Sequence, residues 1–142
     1  MDETPTKEKT LKERIEEYHE KIGKAVKLDV FNYKEIQMDL PNQRHYWVGR
    51  LMQHKCDIIN LQKQRKKAIK ILSDKKTKDS PVGLSARTIK DAAEDNDIVK
   101  KIDEKIVEEE LLIEYLEKIE ANFRSISWDI GHLIDIIKLE TT

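Results

Sequence analysis

Apolar residues recur at alternating spacings of four and three along three segments of this 142-residue chain. That spacing places them on one side of an α-helix, as a narrow apolar seam beside a wide polar surface. The pattern predicts a helix over 10–26, a long helix over 42–72 and another long helix over 97–139. No segment shows the strict alternation that predicts a β-strand, so we expect an all-α fold.

Breaks in this pattern mark the connections between the predicted helices. Residues 1–9 are polar and are expected to fray. Residues 27–40 are less regular and fit either a short helix or an extended connector. Pro41 suits the first turn of a helix, so we place the start of the long helix directly after it. Residues 73–86 combine Lys, Ser, Pro and Gly and predict a mobile basic loop. The segment Asp95-Asn-Asp97 offers side chains that cap the next helix.

Composition favours an elongated subunit over a compact globule. Apolar residues make up 38% of the chain and charged residues 39%, with only 4 Gly and 3 Pro. Such a chain buries thin seams between helices, and between copies of itself, more readily than one thick core. We therefore expect a single domain over 1–142, built from long amphipathic helices joined by the basic loop.

Cysteine content and hydropathy indicate the compartment. Cys56 is the only cysteine, so no disulfide can form within the chain and a reducing environment is expected. No apolar run approaches the ~18 residues that a membrane span needs. The sequence therefore predicts a soluble, intracellular protein.

The net charge of −1 conceals two segments of opposite sign. Between Lys55 and Lys78 the chain has nine cationic residues and two acidic ones, whereas residues 91–120 hold twelve acids and four lysines. This separation indicates that one segment binds a partner while the other stays solvated or pairs with a neighbouring subunit.

The basic segment combines an apolar stripe with a cationic face. On a helical wheel Ile58, Leu61 and Leu72 share one side. Four lysines fall together on the opposite side: Lys63, Lys66, Lys67 and Lys70. Single-stranded nucleic acid is bound by a positive surface that follows the phosphates, supplemented by stacking on the bases. We favour this interpretation over a merely solvated lysine face.

The candidate nucleic-acid contacts extend to both sides of these lysines. They are Lys63, Arg65, Lys66, Lys67 and Lys70 in the helix, Lys75, Lys76 and Lys78 in the predicted loop, and Arg44, Tyr46 and Arg50 further upstream. Tyr46 points away from the apolar seam and is the better candidate for base stacking, whereas Trp47 lies on the seam and is expected in the core. Arg65 also lies on the seam, where we expect it to snorkel or to pair with an acid of the last helix.

Few residues indicate catalysis or metal binding. The sequence has no Gly-rich phosphate loop, no Gly-x-Ser-x-Gly and no His-Glu-x-x-His. His54 lies on the seam and is expected to be a packed core histidine, and Cys56, two residues on, does not face it. Asp91, Asp95 and Asp97 could bind a cation, but helix capping is the preferred interpretation. We expect no enzymatic activity, no cofactor and no metal site.

The carboxy-terminal helix has apolar groups on two sides. Trp128 lies opposite the seam, and one apolar side can satisfy the fold while the other contacts a second copy. The alternative is that the amino-terminal helix covers this tryptophan. The candidate oligomerisation residues are Phe123, Ile126, Trp128, Ile130, Ile134, Ile137 and Leu139.

The order of these features resembles a known protein family. The residues that carry the likeness are Pro41-Asn-Gln-Arg-His-Tyr-Trp47, Gln62-Lys-Gln-Arg-Lys-Lys-Ala-Ile-Lys70, Ala93-Glu-Asp-Asn-Asp-Ile98, Glu114-Tyr-Leu-Glu117 and Phe123-Arg-Ser-Ile-Ser-Trp-Asp-Ile130. Over roughly residues 25–140 the chain resembles the UvsY recombination-mediator proteins of T-even-like bacteriophages. Two departures stand out: Asp74-Lys-Lys76 replaces a tyrosine pair common among relatives, and the helix over 10–26 is longer than expected.

The resemblance implies an all-helical subunit in a ring-like homo-oligomer. It implies binding to single-stranded DNA through the basic end of the long helix, and self-association through the carboxy-terminal helix. The implied partners are single-stranded DNA, the phage recombinase and the phage single-strand-binding protein, in the cytoplasm of the infected bacterial host. We therefore expect a non-enzymatic mediator that promotes loading of the recombinase onto strands coated by single-strand-binding protein. The competing hypothesis is a coiled-coil structural or scaffold protein with no nucleic-acid role.

Overall fold

The computed structural model describes residues 8–79 and 83–141, and within these residues it contains helices and no strands. The predicted all-α fold is thus confirmed. The helices are α1 (Leu11–Ala25), α2 (Tyr33–Asp79), α3 (Ala86–Glu94) and α4 (Asp97–Glu140). Residues 1–7 of the predicted frayed terminus and residues 80–82 of the predicted basic loop lie outside the described residues.

Helix α1 begins directly after its capping residue, Thr10. The Thr10 hydroxyl accepts a hydrogen bond from the Glu13 backbone N–H at 3.2 Å, which satisfies one of the N–H groups left open by the first turn. Glu and Lys side chains four apart form ion pairs along its exposed side, among them Lys24 with Glu20 at 3.0 Å. Ile22 is its buried residue.

Helix α2 begins at Tyr33, well before the predicted start after Pro41, so that prediction was wrong. A hydrogen-bonded turn leads into the helix: Asp29 Oδ1 accepts from the Phe31 and Asn32 backbone N–H groups, and the Asp29 N–H donates to Asn32 Oδ1. Pro41 lies inside the helix, where it lacks the N–H that would bond to residue 37. Burial of Ile36 and Leu40 offsets this loss by holding the first turns against the core.

The far end of α2 also differs from the prediction. Residues 73–79, assigned to a mobile loop, continue the helix to Asp79, and the Thr77 hydroxyl donates to the Ser73 carbonyl at 2.9 Å. The physical reason is that this stretch is polar but contains no helix breaker, because Pro81 and Gly83 come later.

Helix α4 follows α3 after a two-residue connection. Asn96 caps it: its Oδ1 accepts from the Ile98 N–H at 2.9 Å and its carbonyl from the Lys100 N–H at 3.0 Å. The helix begins at Asp97, as the Asp95-Asn-Asp97 segment predicts, and ends one residue beyond Leu139. None of the helices in the described part of the chain is long and apolar enough to cross a membrane.

The chain divides into two compact units. Among the described residues, the first unit joins 8–50 to 115–141, and the second is formed by 51–79 and 83–114. The buried side chains of the first unit include Ile22, Ile36, Leu40, Trp47, Leu116, Ile119, Phe123 and Ile130. Those of the second include His54, Ala93, Val99, Glu109 and Leu112.

Candidate nucleic-acid interface

The cationic face of α2 lies in the second unit. Its four lysines are all exposed: Lys63, Lys66, Lys67 and Lys70. Half-buried Ile58, Leu61 and Ile69 occupy the other side of the helix, as the predicted apolar stripe requires. Regular helical geometry therefore directs the ammonium groups away from the packed side over about 10 Å of helix length. We call these four residues the lysine face.

Acidic side chains do not neutralise the lysine face. Within residues 8–79 and 83–141, no carboxylate forms an ion pair with any of its four lysines. Asp74 follows four residues after Lys70 and is exposed on the same side of the helix. The lysine face is thus a solvent-exposed concentration of positive charge bounded by one acidic residue at its carboxyl end.

Lys75 and Lys76 do not extend the lysine face. Because residues 73–79 are helical, these two side chains turn toward α3 and line a cavity of about 260 Å³ with Leu72, Asp79, Ala92, Ala93 and Asn96. Lys78 is exposed. The DNA contacts of Lys75, Lys76 and Lys78 stay predictions. The mobile basic loop that was expected to carry these lysines is a helix over residues 73–79.

Arg65 forms an ion pair within the second unit. Its Nε donates to Asp103 Oδ1 at 2.7 Å, and the Arg65 side chain is half-buried. Pairing with an acid of the last helix is one of the two arrangements that its seam position predicts. The guanidinium is therefore held at the α2–α4 contact of this unit, unlike the neighbouring lysines.

Arg44, in the first unit, is also bound to an acid. Its Nη2 donates to Glu120 Oε1 at 2.9 Å, and Arg124 Nε approaches the same oxygen at 3.8 Å. Among the upstream candidates, Arg44 thus has a structural role in the first unit in addition to its predicted DNA contact.

Tyr46, Trp47 and Arg50 form a small cluster in the first unit. Trp47 is only 4% exposed, and its indole packs edge-on against the rings of Tyr46 and Tyr18, at centroid distances of 4.9 and 5.2 Å. Tyr46 is 47% exposed, with the Arg50 guanidinium 5.7 Å from its ring centroid. Arg50 Nε donates to Tyr46 Oη at 3.3 Å, and this hydrogen bond raises the pKa of the guanidinium. The core position of Trp47 and the outward position of Tyr46 agree with the sequence analysis.

The candidate oligomerisation residues divide into buried and exposed groups. Phe123 and Ile130 are 1% exposed and belong to the core of the first unit, so they offer little surface to a second copy. Ile126, Ile134 and Ile137 are half-buried. Trp128 and Leu139 are 73% and 77% exposed and present the apolar surface on which self-association can depend.

The sequence analysis did not predict the polar contact that His54 makes in the second unit. His54 is buried as predicted, but its partner is Glu109, 55 positions away on α4, at 2.5 Å between Nδ1 and Oε2. The sequence did contain a signal for this contact, because Glu109 lies three residues before Leu112 and so falls on the apolar side of its helix. An acid at such a position requires a buried partner.

Comparison with known proteins identifies the fold. No protein-family model matches the sequence, and neither does any curated protein. Solved structures do match, and among them are two of the bacteriophage T4 recombination mediator protein UvsY, in lattice types IV and II. Their TM-scores are 0.75 and 0.72 at 19% and 17% sequence identity. The alignments cover 89% of this chain and 98% and 97% of those chains. The resemblance predicted from the sequence is thus confirmed at the level of the fold.

Proposed function

We propose that this protein is a recombination mediator that binds single-stranded DNA through the lysine face. The observation that carries the proposal is the exposure of Lys63, Lys66, Lys67 and Lys70 on one side of α2, with no acidic partner among the described residues. The fold shared with T4 UvsY, a recombination mediator, supports the same conclusion. The proposed setting is the cytoplasm of an infected bacterium.

Binding would be driven mainly by phosphate contacts. A cation that neutralises a phosphate of single-stranded DNA releases condensed counterions, so the affinity falls with salt by a slope of about −0.7 per contact. Ammonium groups on flexible stems follow a backbone without reading its sequence. Tyr46, with its half-exposed ring, is the proposed site of base stacking in the first unit.

Self-association would convert weak contacts into useful affinity. Four lysines per subunit give a modest interaction, and repetition of the lysine face around a ring-like homo-oligomer raises the effective concentration of the second and later sites. The exposed side chains of Trp128 and Leu139 on α4 are the proposed contacts between copies. The oligomer would then hold the strand open for a recombinase while single-strand-binding protein is displaced, without making or breaking a covalent bond.

A loading assay tests this proposal. The measured quantity is the lag before recombinase filaments form on single strands coated by the single-strand-binding protein of a T-even-like phage. We expect the wild-type chain to shorten the lag and the variant Lys63→Ala/Lys66→Ala/Lys67→Ala/Lys70→Ala to leave it long. The matched control changes four exposed lysines of α4 and so alters the net charge equally: Lys100→Ala/Lys101→Ala/Lys105→Ala/Lys118→Ala. An unchanged lag with the wild-type chain, or equal activity of both variants, would contradict the proposal.

The exposed apolar groups of α4 favour one other function, a scaffold that self-associates without binding DNA. Trp128, Ile136 and Leu139 are all exposed, and this alone explains an oligomer. Light scattering and a gel-shift assay together separate the two functions. A scaffold and a mediator both form oligomers, but only the mediator shifts an oligonucleotide.

A further inference from the structure

Three potential metal ligands meet in the second unit, where α2 contacts α4. His54 and Asp57 are three residues apart on α2, so their side chains project from neighbouring positions of one helix face. Glu109 comes from α4. One ligand atom from each residue lies within 4.8 Å of the other two.

Burial distinguishes this cluster from ordinary surface acids. His54 is 5% exposed and Glu109 is 8% exposed, whereas Asp57 is exposed to solvent. Ionisable groups in a helix seam are usually paired or bound to a metal, because burying them alone costs free energy. The two buried groups lie in hydrogen-bond contact, and the exposed third group leaves a route from solvent.

The geometry points to a Zn²⁺ site formed by His54 Nδ1, a Glu109 carboxylate oxygen and an Asp57 carboxylate oxygen. Zinc binds imidazole nitrogen and carboxylate oxygen at about 2.0–2.2 Å, commonly with three protein ligands and a water in the fourth tetrahedral position. Tetrahedral bonds of that length separate ligand atoms by about 3.3 Å. The His54–Glu109 separation of 2.5 Å therefore opens by less than about 1 Å on binding, and the exposed Asp57 side chain swings in to close the site.

The ligand set selects among cations. Mg²⁺ and Ca²⁺ prefer six or more oxygen ligands, which this cluster does not supply. One imidazole and two carboxylates suit Zn²⁺ and its spectroscopic substitute Co²⁺. Bound metal would link α2 to α4 within this unit and would stabilise the folded chain, since the unfolded chain does not preform the site.

Calorimetric titration of the metal-free, full-length chain with Zn²⁺ tests the site. The chain carries Cys56→Ser throughout, because an exposed thiol can bind zinc by itself and would confuse the titration. The diagnostic variant is Asp57→Asn, which removes an exposed ligand and leaves the buried His54–Glu109 pair intact. The matched control is Asp74→Asn, an equal change at another exposed position of α2.

We expect one Zn²⁺ per chain, a dissociation constant raised at least about tenfold by Asp57→Asn, and no change with Asp74→Asn. Co²⁺ should give the visible absorption of a tetrahedral ion in the control and lose it in Asp57→Asn, and Mg²⁺ should give no binding heat. The absence of saturable Zn²⁺ binding would overturn the inference. Equal Zn²⁺ affinities for Asp57→Asn and Asp74→Asn would also overturn it, since the exposed histidines would then account for the binding.

Discussion

Arginine and lysine have different surroundings along α2. Arg44 and Arg65 are half-buried and donate to Glu120 and Asp103, whereas the lysine face is exposed and makes no ion pair within the described residues. Guanidinium groups suit such contacts because their planar, weakly hydrated heads keep hydrogen bonds in a partly buried site. The lysine ammonium groups stay hydrated and available for phosphates. Charge type thus separates the residues that hold the helices from those proposed to hold DNA.

The pair of Arg65 and Asp103 is expected to stabilise the second unit only slightly. Both side chains are at least one third exposed, so solvent screening limits the coupling free energy of the pair to about 0.5 kcal/mol. A double-mutant cycle with Arg65→Ala and Asp103→Ala, measured by urea unfolding, gives this quantity.

We also expect Arg65→Ala to weaken DNA binding less than Lys66→Ala. The opposite ranking would contradict the assignment of the arginine to helix contacts and of the lysine to DNA.

Trp47 is predicted to act through packing alone. Trp47→Ala removes a buried indole and should lower the free energy of unfolding by about 3 kcal/mol or more. Its Nε1 is buried without a hydrogen-bond partner among the described residues, so Trp47→Phe removes an unsatisfied donor and should cost about 1 kcal/mol or less. Chemical denaturation measures both changes. Equal losses for the two variants would contradict the packing role, because Phe retains an apolar ring that Ala lacks.

The helices show which parts of the fold could be predicted from the sequence. The seam of α4 and its Asn96 cap follow from local spacing and chemistry, so its limits were nearly correct. The early start of α2 depended on tertiary burial, which local patterns lack, whereas its late end depended on the absence of a helix breaker before Pro81. Burial of Leu40 outweighs the hydrogen bond lost at Pro41, and polar residues 73–79 stay helical because no breaker interrupts them. The lysine face was predictable because it requires only helical spacing, whereas the contact between His54 and Glu109 joins two distant segments.

Pro41 is predicted to reduce the stability of α2. Pro41→Ala restores an N–H that can donate to the Gln37 carbonyl, and it should raise the free energy of unfolding by about 1–2 kcal/mol after allowance for the greater entropy of the unfolded chain. Thermal or urea unfolding measures the gain. The control Asn42→Ala, at the next exposed position, should change stability by about 0.5 kcal/mol or less. A loss of stability in Pro41→Ala would mean that the ring packs against the core.

The proposed self-association would depend on the apolar surface of the first unit. Phe123 and Ile130 are buried in the core. Trp128 and Leu139 are therefore the exposed apolar residues of the predicted oligomerisation set. Large exposed aromatic and aliphatic side chains on one helix are typical of contact surfaces. A closed ring would repeat the same contact around a symmetry axis and would multiply the lysine face.

The variant Trp128→Ala/Leu139→Ala should therefore shift the chain toward monomer. Sedimentation velocity at several protein concentrations measures the change. Phe31→Ala is the matched control, because Phe31 is 93% exposed in the same unit but lies in the turn before α2. An unchanged sedimentation coefficient in the double variant, or an equal shift with Phe31→Ala, would assign self-association to another surface.

The central claim is that the lysine face contacts the phosphates of single-stranded DNA, and a fluorescent oligonucleotide titration across salt concentrations tests it most directly. If all four lysines contact phosphates, their replacement by alanine should weaken binding and reduce the slope of log affinity against log salt by about 3 per subunit. The α4 variant that replaces Lys100, Lys101, Lys105 and Lys118 carries the same net charge and should keep the wild-type slope. Equal slopes for the wild-type chain and the lysine-face variant would contradict the claim.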